Sequence, residues 1–343
     1  MKVRFALLLA IAFFAPALHA AFINGHAYTA LSSWSAANGF RLQSRGGGLI
    51  SYTNRAALRL AFEKDSRTAK INGVNMAMSF PAAYDKGEML VAQLDLAKTI
   101  EPLVFAPKIS GKKISTIVLD PGHGGKDTGN RVGFGFFGHS EKTYTLLLAQ
   151  ELQKQLRAAG FNVILTRNSD TFVELPARPD LANRRNADLF ISLHFNATQT
   201  GKADVSGPET YCITPVGAAS SNAQGEGANY GATTANRVEA KSLLLAYSVQ
   251  KSLVKNLPVE DRSVRRARFA VLRDCEMPAI LVESGYMTHP VEGKKIFTDA
   301  YRKQIAAAIV KGVLNYQKLT APPADEKLPA GNPPTKTKAT KKK

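Results

Sequence analysis

Three apolar runs in the second half of this chain constrain its fold most. They are Ser115-Thr-Ile-Val-Leu119, Asp188-Leu-Phe-Ile-Ser-Leu193 and Pro278-Ala-Ile-Leu-Val282. Each is short, rich in branched residues and without polar alternation, the mark of a strand buried on both faces. Between them the spacing turns helical. Leu148, Leu152 and Leu156 recur every four residues, and Gly160 supplies a stop. The pattern predicts helices over 141–159, 178–187, 236–253 and 299–316, and strands over 161–166 and 207–214. Strands alternating with helices imply an α/β fold, a mainly parallel central sheet with helices on both faces in a phosphorylase/hydrolase-like arrangement.

Each of the three runs ends in a residue able to bind a metal or move a proton: His123, His194 and Glu283. Open α/β sheets place their chemistry just beyond the carboxyl ends of the strands. Glu141, 18 residues after His123, opens a predicted helix, where a carboxylate also suits the helix dipole. Two histidines and a carboxylate form the ligand set of a catalytic zinc, and a further carboxylate commonly serves as proton carrier beside it. A carboxylate such as Glu283, at the end of so apolar a strand, is costly unless it serves a metal or a proton. In Asp120-Pro-Gly-His123-Gly-Gly the glycines allow a sharp turn, and Asp120 is placed as the expected acceptor for an imidazole N–H. His26, His139 and His289 lie in polar or N-terminal contexts and are left out of the set.

The chain ends narrow the setting. Met1-Lys-Val-Arg4 followed by an apolar run from Phe5 to Leu18 and a small residue at Ala20 predicts a secretory signal peptide over 1–20. Fourteen apolar residues are too few for a membrane core that needs about 20. The formal charge is +18; without Lys2 and Arg4 it is +16, and the Lys-rich tail 321–343 accounts for +4 of that. A basic exported protein suits an anionic envelope surface, and no aromatic-basic motif points to nucleic acid. Cys212 and Cys275 make no disulfide framework and have no zinc-ligand spacing; the sequence leaves their pairing open.

Residues 21–105 read as a small β-rich N-terminal module, with short alternating runs broken by Gly46-Gly47-Gly48 and Asn72-Gly73. The Asn-Gly turns and the late hydrophobic run resemble the N-terminal domain of copper amine oxidases. Nothing in this stretch suggests catalysis, and a folded spacer or wall-binding module is expected. Pro107 and Gly111 mark a linker over 106–113, the catalytic domain is expected over 114–320, and the tail 321–343 lacks core-forming residues.

Asp120-Pro-Gly-His-Gly-Gly, Glu141-Lys142, Ala187-Asp-Leu-Phe-Ile-Ser-Leu-His-Phe-Asn-Ala197 and Pro278-Ala-Ile-Leu-Val-Glu-Ser-Gly285, in this order, closely resemble the zinc-dependent N-acetylmuramoyl-L-alanine amidases, bacterial cell-wall hydrolases. The resemblance covers about 114–317. It implies that His123, Glu141 and His194 bind Zn2+, that Glu283 is the catalytic carboxylate, and that the substrate is peptidoglycan, in the periplasm or cell wall. Phe195 and Tyr286-Met-Thr-His289 depart from the usual family residues without touching these four. Two other readings exist: an inactive wall-binding protein, which predicts a lost ligand, and a carboxypeptidase-type zinc peptidase, which places its first His and Glu three apart rather than 18. The small, glycine-rich stretch Pro215 to Ala235 has no apolar face and is expected to be a mobile flap.

Overall fold

The computed structural model describes residues 20–105, 114–133, 138–198, 204–222 and 227–321. The expected leader and tail, but for their boundary residues Ala20 and Ala321, and the linker 106–113 lie outside these residues. The N-terminal part contributes nine strands: β1 (Ala20–Ile23), β2 (His26–Ala30), β3 (Phe40–Gly46), β4 (Leu49–Asn54), β5 (Arg59–Glu63), β6 (Thr68–Ile71), β7 (Val74–Ala77), β8 (Ala83–Asp85) and β9 (Glu88–Ala92). Eight follow: β10 (Thr116–Pro121), β11 (Arg131–Val132), β12 (His139–Ser140), β13 (Asn162–Leu165), β14 (Leu189–Asn196), β15 (Glu209–Ile213), β16 (Val264–Ala267) and β17 (Ala279–Tyr286).

The three apolar runs are neighbours at the centre of one sheet. Its order is β13-β10-β14-β17-β15-β16-β7-β6-β5-β4-β3. From β13 to β17 all pairs are parallel; β15 then runs antiparallel to β17. The α/β class with a mainly parallel core is as expected, and a hairpin-type meander extends it. β16 was not legible as a strand, because Val264-Arg-Arg-Ala267 looks polar. The extension enters through β7, which lies parallel to β16 with Met76 opposite Val264. Asn75 reinforces the seam, its backbone N–H donating to Asp261 Oδ2 at 2.7 Å and its side-chain amide to the Asp261 carbonyl at 3.0 Å. One apolar cluster therefore runs from Leu31, Trp34 and Tyr52 to Leu148, Ile191 and Ile309. β1, β2, β9 and β8 form a separate four-stranded sheet.

The pleat assigns the two faces. Ile117 and Leu119 point into the large cluster with the helices Glu141–Ala158, Glu239–Asn256 and Asp299–Thr320. Val118, Phe190, Ala279 and Leu281 point to the opposite face, covered among the described residues by the short helices Ala177–Arg184 and Ala270–Arg273. Long helices on one side bury the apolar half; short ones on the other leave room at the strand ends. Among the described residues, no helix is long and apolar enough to cross a membrane.

Candidate active site

His194 sits on β14 opposite Glu283 on β17, and Glu283 in turn sits opposite Glu209 on β15. All three point to the open face, since Leu193 and Val282 beside them belong to the large cluster. His123 arrives from the loop after β10, and Glu141 from the first turn of its helix. The structure brings all four sequence-derived candidates to one cleft of about 350 Å3, walled by Leu175, Phe269, Val271 and Leu281.

Glu141 is the hub. It is 1% exposed. Its Oε2 lies 3.1 Å from His123 Nε2, and its Oε1 lies 2.9 Å from His194 Nδ1. One ligand atom from each of the three residues falls within 4.8 Å of the others. Asn130 donates to Oε2 through its backbone N–H and its side-chain amide, both at 2.9 Å, and the Phe195 N–H donates to Oε1 at 3.1 Å. These donors hold the carboxylate ionised and oriented. Burial alone would raise its pKa, but the hydrogen bonds and charges of His123 and His194 hold it well below the carboxylate range. For His123 burial works downward, and the carboxylates of Glu141 and Asp127 more than offset it, leaving the imidazole raised.

The partner that fixes the His123 ring is Asp127, whose Oδ2 lies 2.8 Å from Nδ1 and so turns Nε2 toward Glu141. Asp120, expected in that role, does something else. It is fully buried, faces Arg178 Nη1 at 2.9 Å, and accepts from the hydroxyls of Thr166 at 2.6 Å and Ser192 at 2.8 Å. Arg178 and Arg167 then hold the loop by its carbonyls. Arg178 donates to Pro121 and His123, Arg167 to Pro121 and Gly122. His123 itself sits in the left-handed region, at φ 62°. A non-glycine residue persists there because its surroundings fix it. Two glycines are required by proximity. A Cβ on Gly122 would lie 2.2 Å from the His194 ring, and one on Gly129 2.7 Å from Glu141 Oε2.

Glu283 Oε2 is buried without a hydrogen-bond partner among the described residues. Burial, aided by the negative charges of Glu141 and Glu209, pushes this carboxyl well above its ordinary value. Glu209, which the sequence did not single out, is 2% exposed and accepts from the Tyr211 and Tyr286 hydroxyls, each at 2.6 Å. Arg262 and Arg265 reach it through Nε at 3.1 and 3.3 Å. The histidines left aside serve the scaffold: His139 stacks on Phe297, and His289 accepts the amides of Val291 and Glu292. Both cysteines are free and buried, within different clusters.

The stretch from Pro215 is pinned rather than a free flap. Ala218 bridges Asn229, and Arg268 Nη2 donates to the carbonyls of Pro215, Ala218 and Asn229. Residues 223–226 lie outside the described residues.

The chain is 34% identical over 227 residues to an uncharacterized protein, YqiI, of Bacillus subtilis, a match covering 66% of this chain and 95% of that one. It is 33% identical over 233 residues to the N-acetylmuramoyl-L-alanine amidase AmiA of Escherichia coli, covering 62% and 78%. The crystal structure of an N-acetylmuramoyl-L-alanine amidase from Clostridium difficile 630 superposes with a TM-score of 0.50 at 33% identity, covering 60% of this chain and 98% of that one. Residues 117–315, more than half of the chain and the segment that carries all four cleft residues, match the N-acetylmuramoyl-L-alanine amidase family, and the chain belongs to it.

Proposed function

We propose that this chain hydrolyses the amide between N-acetylmuramic acid and L-alanine in peptidoglycan, with zinc held by His123, Glu141 and His194 and with Glu283 as proton carrier. The observation that carries the reading is the triad of donor atoms within 4.8 Å beside an unpartnered, buried carboxylate oxygen. The residues fit such an ion. The donor set is nitrogen and oxygen, Asp127 supplies the outer hydrogen bond that orients a ligating imidazole, and Gly129 leaves the space a side chain would fill.

When bound, the ion would act as a Lewis acid toward the scissile carbonyl and the attacking water. The chain's own residues supply the rest. Glu283 takes a proton from the attacking water, through an Oε2 that has no competing hydrogen-bond partner among the described residues. The same carboxyl returns the proton to the leaving amine nitrogen, so the C–N bond breaks as N–H forms. Leu175, Phe269 and Leu281 give the cleft apolar walls beside the reacting groups.

Export to the periplasm or cell wall is part of the proposal, supported by the leader-like residues 1–20. So is adhesion of the basic tail 321–343 to anionic envelope polymers, an attraction that salt would screen. Digestion of purified peptidoglycan followed by mass spectrometry tests the activity. Free stem peptides with intact glycan strands are expected; shortened stems still attached to glycan would replace the reading with a peptidase.

A further inference from the structure

A second cleft lies along the same sheet at the seam of β16 and β7, where the N-terminal strands join the catalytic ones. Its volume is about 350 Å3, and its walls come from both parts: Arg67, Asn75 and Met78 on one side, Ser221, Arg262 and Arg265 on the other. Three guanidinium groups therefore line one opening. The acid among its walls, Asp261, is already engaged. Its Oδ2 accepts from Asn75 N–H, and its Oδ1 from the Gln250 amide and the Ser263 N–H. Arg67 reaches the Met78 carbonyl through Nε at 3.3 Å, Arg265 reaches Glu209 and the Arg262 carbonyl through Nε, and Arg262 reaches Glu209 through Nε while its guanidinium lies over the Tyr286 ring. Three arginines against the two carboxylates of Glu209 and Asp261 leave one positive charge over, and the terminal nitrogens of Arg67 and Arg265 meet no protein acceptor among the described residues.

We propose that this cleft is an oxyanion-binding site, built to take a phosphate or carboxylate group on Arg67, Arg262 and Arg265. Planar guanidinium forks match both kinds of oxygen pair, and charge-assisted hydrogen bonds of this kind are the strong ones. The volume admits a small anionic group carried on a sugar or a short peptide, and it does not admit a folded partner. The envelope offers the same chemistry from two sources: phosphate esters and the free carboxylates of peptide stems. A site split between the two parts binds only when they are docked as seen here, so occupancy also fastens the seam between β7 and β16.

The test is calorimetric titration of the full-length protein at low salt, in a buffer whose ions are not oxyanions, with inorganic phosphate in one arm and acetate in the other. Arg67→Ala is the main variant. Arg67 is exposed, holds no contact with Glu209 and lies outside the catalytic cleft, so activity is expected to stay unchanged. Removing one charged donor is expected to weaken binding roughly tenfold or more. Glu141→Ala, which dismantles the proposed zinc centre, is expected to bind the anion as the parent does, which separates this cleft from an anion caught on the metal. Saturable binding of phosphate alone points to esters, and binding of acetate alone points to stem carboxylates. Equal affinity in the parent and Arg67→Ala, loss of binding in Glu141→Ala, or no saturable binding in either arm overturns the proposal.

Discussion

Replacing Gly129 by alanine tests how tightly the ligand set is packed. Gly129 has φ +61°, and an added Cβ would sit 2.6 Å from His123 Cδ2, 2.7 Å from Glu141 Oε2 and 2.8 Å from Glu141 Cβ. Ordinary contact begins near 3.4 Å, so two of the three proposed ligands must each retreat by more than half an ångström. Glu141 cannot retreat without stretching its bonds from Asn130 and Phe195. The left-handed backbone adds about 1–2 kcal/mol for any residue with a Cβ. Gly160→Ala is the matched control: φ is +91° there, and nothing lies within 4 Å of the new carbon. Gly160→Ala is expected to lose about 1–2 kcal/mol in urea unfolding of metal-free protein, and Gly129→Ala at least as much because it adds the clash. Gly129→Ala alone is expected to lose a further 10–100-fold in zinc affinity, about the usual cost of disturbing the groups that orient a ligand. Competition against a chromophoric chelator reads that affinity. Equal zinc affinities for the two variants would refute the packing argument, whatever their stabilities.

Glu283→Gln is expected to keep zinc content and fold while turnover falls by about 10²–10⁴-fold, the usual share of a general acid–base group; turnover within a few-fold of the parent would make Glu283 structural. Arg178→Ala leaves Asp120 buried without its ion pair and is expected to cost about 3–5 kcal/mol in chemical unfolding, with a cost under 1 kcal/mol counting against the anchor. Asp95 is fully buried, and burial raises its carboxyl, partly offset by the amides of Ser79 and Phe80. A raised folded-state value means the contribution is fully present below the unfolded value of about 3.9 and is lost as pH rises through the folded one. The stability deficit of Asp95→Asn is therefore expected to be larger at pH 4 than at pH 7, and a pH-independent deficit in urea melts would dismiss the linkage.

The core of this fold was legible because a strand buried on both faces leaves no choice of residue. Ile117, Ile191 and Ile280 had to be apolar, so the polar residue ending each run stood out. Glu141 was legible less directly, since the same carboxylate would also serve a helix start. Partners were harder. Asp120 precedes His123 by three residues and looked like its support, but the pleat turns that side chain onto the face beneath the helix Ala177–Arg184, where Arg178, Thr166 and Ser192 meet it. Asp127 reaches the ring because the loop folds back on itself, a geometry that spacing does not encode. Glu209 and Asn130 were missed for a related reason: their roles come from strand register and loop return. The stretch from Pro215 was misjudged because its described residues are held by the backbone bridge between Ala218 and Asn229, by Arg266 at Ser221 and by the guanidinium of Arg268, and not by any apolar face of their own.

The seam between β7 and β16 also sets an order of events during synthesis. Asn75 and Asp261 stand 186 residues apart in the chain, so the first waits for the second. At about 5–20 residues per second that wait is on the order of 10–40 s. Throughout it the newborn meander presents an unpaired edge whose residues alternate between buried and half-buried in the finished protein. Such an edge invites pairing with other chains. Products that stop short of residue 261 would carry it permanently, so the burden of keeping this protein soluble falls on its nascent chains and on its fragments.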